Sequence, residues 1–279
     1  MKSYPIILAA ALLLVSAHGW AQSTDDDESH VGDCDVDRDA ACLSTLGQAI
    51  STVGAYVSAP VRWQEPEWLE FGAAVGAIGI AHAEDTRVRD HFVGSGPPSL
   101  ANGNKHSLQD ALPAAAVLIG TWGYAHLIGD SAGIREAGTM AEAATLSVGM
   151  AYALNYASGR LGPDQTVHPN RWWSGGSSFP SQHSTAAFAI GTVLAESGND
   201  EYRWVRRVLG YGMGGYTVYE RLKHNAHWLS DAVGGAALGV ASAQFAMNRR
   251  DPHHVSLLSN LALDPLPGGW MLRYSMQLP

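Results

Sequence analysis

Charge is scarce in this 279-residue chain: Asp, Glu, Lys and Arg make up 15% of it, against 46% apolar and 9% aromatic residues, which excludes a disordered or coiled-coil polypeptide. Basic charge is scarcer still. Lys and Arg number 17 against 26 Asp and Glu, and no basic surface emerges to favour nucleic acid. The formal net charge of -9 is unevenly spread, because the acidic run from Asp25 to Asp39, offset only by Arg38, carries most of it. The remainder is near neutral, so an anionic substrate stays admissible. Cysteine is limited to Cys34 and Cys42. Long apolar runs are wanting at the N-terminus, where the stretch from Ile6 to Val15 is too short to span a bilayer comfortably.

That stretch follows Lys2 and precedes the small residues Gly19 and Ala21, so residues 1–21 read as a cleaved secretory signal. Export to the periplasm or envelope is the expectation. In that oxidising compartment Cys34 and Cys42 are expected to form a disulfide closing a small loop. The run between them alternates aspartates as a calcium loop does, but Arg38 stands where such a loop needs glycine and Ser44 where it needs glutamate. It reads as a solvated acidic loop.

Residues 22–66 read as an acidic N-terminal extension without sustained helical period, residues 67–250 as a helical domain and residues 251–279 as a tail. Within the domain, helical patterning runs over about Trp68 to Ala83, Gln109 to Leu127, Arg135 to Ala157, Gln182 to Glu196, Glu201 to Glu220 and Trp228 to Met247. The fold class is therefore all-α, a helical bundle. In the tail, the turn residues Pro265 to Gly269 separate two partly alternating runs, the pattern of a short hairpin. Glycines at spacing four, Gly72 with Gly76 and Gly235 with Gly239, predict close helix packing. Membrane helices use the same spacing, but His82, Asp110, His126, Glu142 and Gln244 interrupt the apolar runs and favour a soluble bundle. Arg203, Arg206 and Arg207, at helical spacing, read as a solvated face.

Chemistry concentrates in two segments. In GGSSFPSQHST, Gly175 to Thr185, Ser181 is a candidate N-cap, and the unbonded backbone N–H groups of the first turn offer an anion site within reach of His183. An ordinary capped helix with an exposed histidine explains the same letters. In YERLKHNAHWLSDAVGG, Tyr219 to Gly235, His227 and Asp231 are four apart, a spacing that on one helix lets the carboxylate take the Nδ1–H and leaves Nε2 nucleophilic. Arg221 supplies a planar fork for phosphoryl oxygens. A structural His–Asp pair between helices is the plainer alternative. His224 and His227 lack the HExxH pattern or other convincing zinc-ligand spacing, so no metal is expected.

Together the segments resemble the type 2 phosphatidic acid phosphatase superfamily, which includes class A acid phosphatases and vanadium haloperoxidases. Arg221, His227 and Asp231 match the third signature of that family, with Glu220 in place of its leading serine. Pro180, Ser181 and His183 match the second, with Gln182 in place of glycine. In the first, NYASGRLGP, Asn155 and Gly162 stand at the lysine and arginine positions and only Pro163 is kept. The resemblance implies metal-independent hydrolysis of a phosphomonoester, lipid phosphate or diphosphate through a phosphohistidine. Catalysis would fall to His227, His183 and Asp231, and phosphate binding to Arg221, Ser181 and Gln182, with Arg160 expected to replace lost charge. No cofactor is implied, vanadate being an inhibitor. Peripheral contact with a membrane fits Trp172 and Trp173, which precede the anion loop and could equally pack in the core. Two alternatives stand: a catalytically impaired anion-binding envelope protein, and a haloperoxidase holding vanadate as cofactor.

Overall fold

The computed structural model describes residues 47–96, 107–198, 202–250, 261–266 and 269–274. The signal segment and both cysteines lie outside them. The chain divides after Trp63. On the N-terminal side residues 47–57 are helical and a 3-10 turn follows at Ala59–Arg62, so the extension holds helical structure that its polar composition did not announce.

Beyond the division, six helices carry the fold: α1 (Glu65–Val93), α2 (Ser107–Ile128), α3 (Ser131–Ser158), α4 (Gln182–Glu196), α5 (Arg203–Lys223) and α6 (Leu229–Arg250). An antiparallel hairpin follows, with β1 (Leu261–Leu266) paired to β2 (Gly269–Tyr274) and Leu263 opposite Leu272, as the alternating tail predicts. Helix starts follow local chemistry. Gln64 and Glu67 close a capping box on α1, the Asp130 side chain accepts from the Ala132 N–H on α3, and Ser181 accepts from the Ser184 N–H on α4.

Helix α4 is the hub and packs on α3, α5 and α6. Small residues make this possible: a Cβ added at Gly191 would lie 2.4 Å from the Gly210 carbonyl oxygen on α5, and one at Gly239 would lie 2.4 Å from the Thr185 oxygen on α4. The Gly235 and Gly239 spacing thus marks a true helix contact. The Gly72 and Gly76 spacing does not, since an added Cβ at either meets nothing within 4 Å. The three arginines of α5 are likewise not a merely solvated face: Arg207 donates to Glu196 at 2.8 Å and Arg206 pairs with Glu136, tying α5 to the end of α4 and to α3.

Apolar side chains remain outside this core. Trp68, Phe71 and Ile80 on α1 and Leu112, Ile119 and Leu127 on α2 are exposed. Helix α2 is long and apolar enough to cross a membrane, with a mean hydropathy of 1.4 over its best window.

Candidate active site

The second and third signature segments converge where the N-terminus of α4 meets the turn between α5 and α6. Residues 159–180 fold back to brace them: Ser178 N–H donates to the Arg160 carbonyl, Ser181 N–H to the Asp231 carbonyl, and Trp228 Nε1–H to the Leu161 carbonyl. Arg221, in the last turn of α5, is only 1% exposed. It donates through Nη1 to Asp110 Oδ2 of α2 at 2.6 Å. Burial lowers its pKa against the support of Asp110 and Asp164.

His227 does not share a helix with Asp231. Helix α6 begins at Leu229, because Asp231 Oδ2 turns back to accept the Trp228 N–H at 2.9 Å and caps its own first turn. The expected direct hydrogen bond is therefore absent: His227 Nδ1 lies 3.8 Å from Asp231 Oδ2, and instead donates to the Ser178 carbonyl at 2.9 Å. The outcome for the ring is the same, since the Nδ1 proton is fixed and Nε2 keeps its lone pair. Burial, with the Arg221 charge behind it, lowers the His227 pKa and favours that neutral ring. Burial alone would raise Asp231; the nearby His227, the Arg160 charge and the Ser178 hydroxyl bond outweigh it and hold the carboxyl below its ordinary value.

His183, in the first turn of α4, places Nε2 at 2.9 Å from the Ser107 carbonyl and 3.1 Å from its hydroxyl, at the start of α2. Burial, then the charges of Arg221 and His227, lower its pKa to about 3. The two histidines and Arg221 thus act on one another's charge, as partners in one site must. Asp164 joins them: burial raises its pKa, while His227 and Arg221 pull the other way.

Two expected phosphate ligands are placed differently. Arg160 is 0% exposed and spends its donors on the protein, with Nη1 on Asp231 and Ser230, Nη2 on Asp85 at 2.7 Å, and Nε on the Pro169 carbonyl. Its guanidinium also stacks on Trp172, 4.4 Å from the ring centroid. It is a strut between α1 and α6, because two buried carboxylates claim it first. Ser181 is also fully buried, its oxygen accepting from the Ser184 N–H and O–H. Gln182, the first residue of α4, is half-buried at the site's edge. At the degenerate first signature, Asn155 donates to the Pro180 carbonyl at 2.8 Å and anchors the loop before α4.

Sequence reasoning missed Asp85, Asp110, Asp164 and Ser178. Asp85 and Asp110 sit on helices that precede the signatures and are joined to them only by folding; Asp110 had been noted merely as an interruption of an apolar run. Ser178 lies inside the quoted Gly/Ser loop, but its double role, carbonyl to His227 and hydroxyl to Asp231 at 2.5 Å, has no local signal. Among the described residues, Asp110, Glu220 and His224 each offer a ligand atom within 4.8 Å of the others. That trio could hold a cation, in competition with the Arg221 pairing to Asp110.

The family model for the PAP2 superfamily matches residues 136–253, a stretch that contains every signature residue named above. A curated relative, the lipid A 1-phosphatase of Porphyromonas gingivalis, is 36% identical over 92 residues, 33% of this chain and 19% of that protein. The match thus spans less than a quarter of the relative's length. No solved structure matches the chain. A helical fold thus joins the second and third signature blocks around Arg221, and the PAP2 superfamily model spans both blocks.

Proposed function

We propose that the protein is a phosphatase of the cell envelope that hydrolyses a phosphomonoester or lipid phosphate through a phosphohistidine, without a metal. One observation carries this reading: the start of α4 and the turn before α6 are bound together, Ser181 N–H donating to the Asp231 carbonyl and His227 Nδ1–H to the Ser178 carbonyl, with Arg221 buried at the end of α5. Similarity to a lipid A 1-phosphatase supports a lipid phosphate as the substrate class.

In the reaction, His227 Nε2 attacks phosphorus while the Ser178 carbonyl holds the Nδ1 proton. The P–O bond to the leaving group breaks, and His183 delivers a proton to the departing alkoxide. Water, deprotonated by His183 in the reverse sense, then cleaves the P–N bond and frees phosphate. Arg221 and the first-turn N–H groups of α4 stabilise the equatorial oxygens. Alone, His183 is held neutral by burial and the Arg221 charge; a phosphoryl anion against Arg221 offsets that charge and raises the His183 pKa, so substrate binding loads the acid. The kcat/KM profile should be bell-shaped in pH.

The test is an assay of purified protein on p-nitrophenyl phosphate, a lipid phosphate and an isoprenyl diphosphate, each with and without vanadate and EDTA. The expected result is turnover that vanadate blocks, EDTA spares and His227→Ala removes. Turnover abolished by EDTA overturns the metal-free reading, and binding of vanadate without any turnover favours the impaired anion-binding protein.

A further inference from the structure

The charges around this site do not add up to an ordinary phosphate pocket. Arg160 is spent on Asp85 and Asp231, and Arg221 is paired with Asp110 at 2.6 Å. Both histidines are driven toward the neutral form by burial, so neither adds a fixed positive charge. At the end of α5, Glu220 and the capping residue His224 bring one further negative group and a histidine that lies between Glu220 and Asp110.

Into this balance the loop after α3 adds Asp164. Its position follows from Gly162: a Cβ there would meet Asp164 Oδ1 at 2.5 Å, Ser178 Oγ at 3.5 Å and the Ala226 carbonyl at 3.6 Å. Ser178 holds the His227 ring and Ala226 precedes it in the chain. The carboxylate therefore fills the space beside the nucleophile's support that any side chain at residue 162 would need. Its charge also reaches Arg221, the guanidinium assigned to the substrate.

We propose that Asp164 is a specificity-determining residue that makes this site select a phosphoryl group carrying one negative charge over the same group carrying two. The inference rests on the phosphatase reading of the site for its substrate but not for its test. A second charge on the phosphoryl oxygens gains less from Arg221, which is already paired with Asp110, and is repelled by Asp164. Between two like charges in a partly buried site, one such repulsion is worth about a factor of ten in affinity. Two sources provide a singly charged group: the monoanion of a monoester and a diester.

Binding separates charge selection from catalysis. Calorimetric affinities of the full protein are measured from pH 5.5 to 8.5 for orthophosphate, which gains its second charge across that range, and for dimethyl phosphate, which keeps one. The expected result is that orthophosphate loses about tenfold relative to dimethyl phosphate as pH rises. Asp164→Asn should remove most of that loss, and Asp164→Glu should keep it. Orthophosphate binding that tightens with its second charge overturns the proposal, as does an Asp164→Asn protein that follows the wild type. The wild-type pH series stands whether or not the variants fold. Turnover of p-nitrophenyl phosphate against bis(p-nitrophenyl) phosphate then tells the monoester monoanion from the diester. Failure to turn over either sinks the phosphatase reading and leaves the charge preference to be judged by binding.

Discussion

Arg160 and Arg221 carry the same guanidinium into the same buried region and do different work, because their partners differ in number. Arg160 bridges two fully buried carboxylates, so Arg160→Ala strands Asp85 and Asp231 together and should cost about 3 to 5 kcal/mol of stability, read in a urea melt. A variant that stays stable and loses only vanadate affinity would return Arg160 to the phosphate. Arg221 is ion-paired with Asp110, and its charge acts on both histidines. Arg221→Lys should lower kcat/KM by about two orders of magnitude, since an ammonium cannot reproduce the planar donors. Arg221→Ala should also destabilise the fold by leaving Asp110 buried and unpaired. Adding Asp110→Asn should restore much of that stability without restoring turnover; a double variant no more stable than the single one denies the coupling.

At the scale of helices, glycines of identical spacing behave oppositely according to what faces them. Gly191→Ala forces a methyl against the Gly210 carbonyl and should destabilise by about 1 to 3 kcal/mol, whereas Gly72→Ala, on an open face of α1, should stabilise by up to about 1 kcal/mol. Thermal melts of the two variants that move in the same direction would contradict the packing of α4 on α5. Helix positions were legible because apolar period and capping residues are local: the span from Gln182 to Glu196 with its Ser181 cap was readable in full. Helix ends governed by tertiary contacts were not. The sequence pattern starts a helix at about Trp228, and the spacing of four suggests His227 and Asp231 on one face, but the Asp231 carboxylate caps the helix from inside and His227 stays outside it.

For the whole molecule, the consequence of burying two neutral histidines is a dependence of stability on pH. The folded pKa of each lies below the ordinary histidine value of 6.5, that of His183 at about 3, so the unfolded chain binds more protons once pH drops below 6.5. Stability should be undiminished above that pH and fall by about 1.4 kcal/mol per pH unit for each histidine as acid titrates the unfolded state. For His183 the decline levels off near its folded pKa. His183→Gln should flatten the slope between pH 6 and 4; an unchanged slope would mean that the ring is solvated. The sequence by itself determined the helical class, the order of the segments and the two motif blocks that fold together, since periodicity and motif spacing are written along the chain. Only the tertiary structure decided which charges meet. Arg160 faced two carboxylates instead of phosphate, Asp231 held the loop instead of the ring, and Asp110 and Asp164 entered the site from outside the matched motifs, because electrostatic partners are chosen by distance and burial in three dimensions.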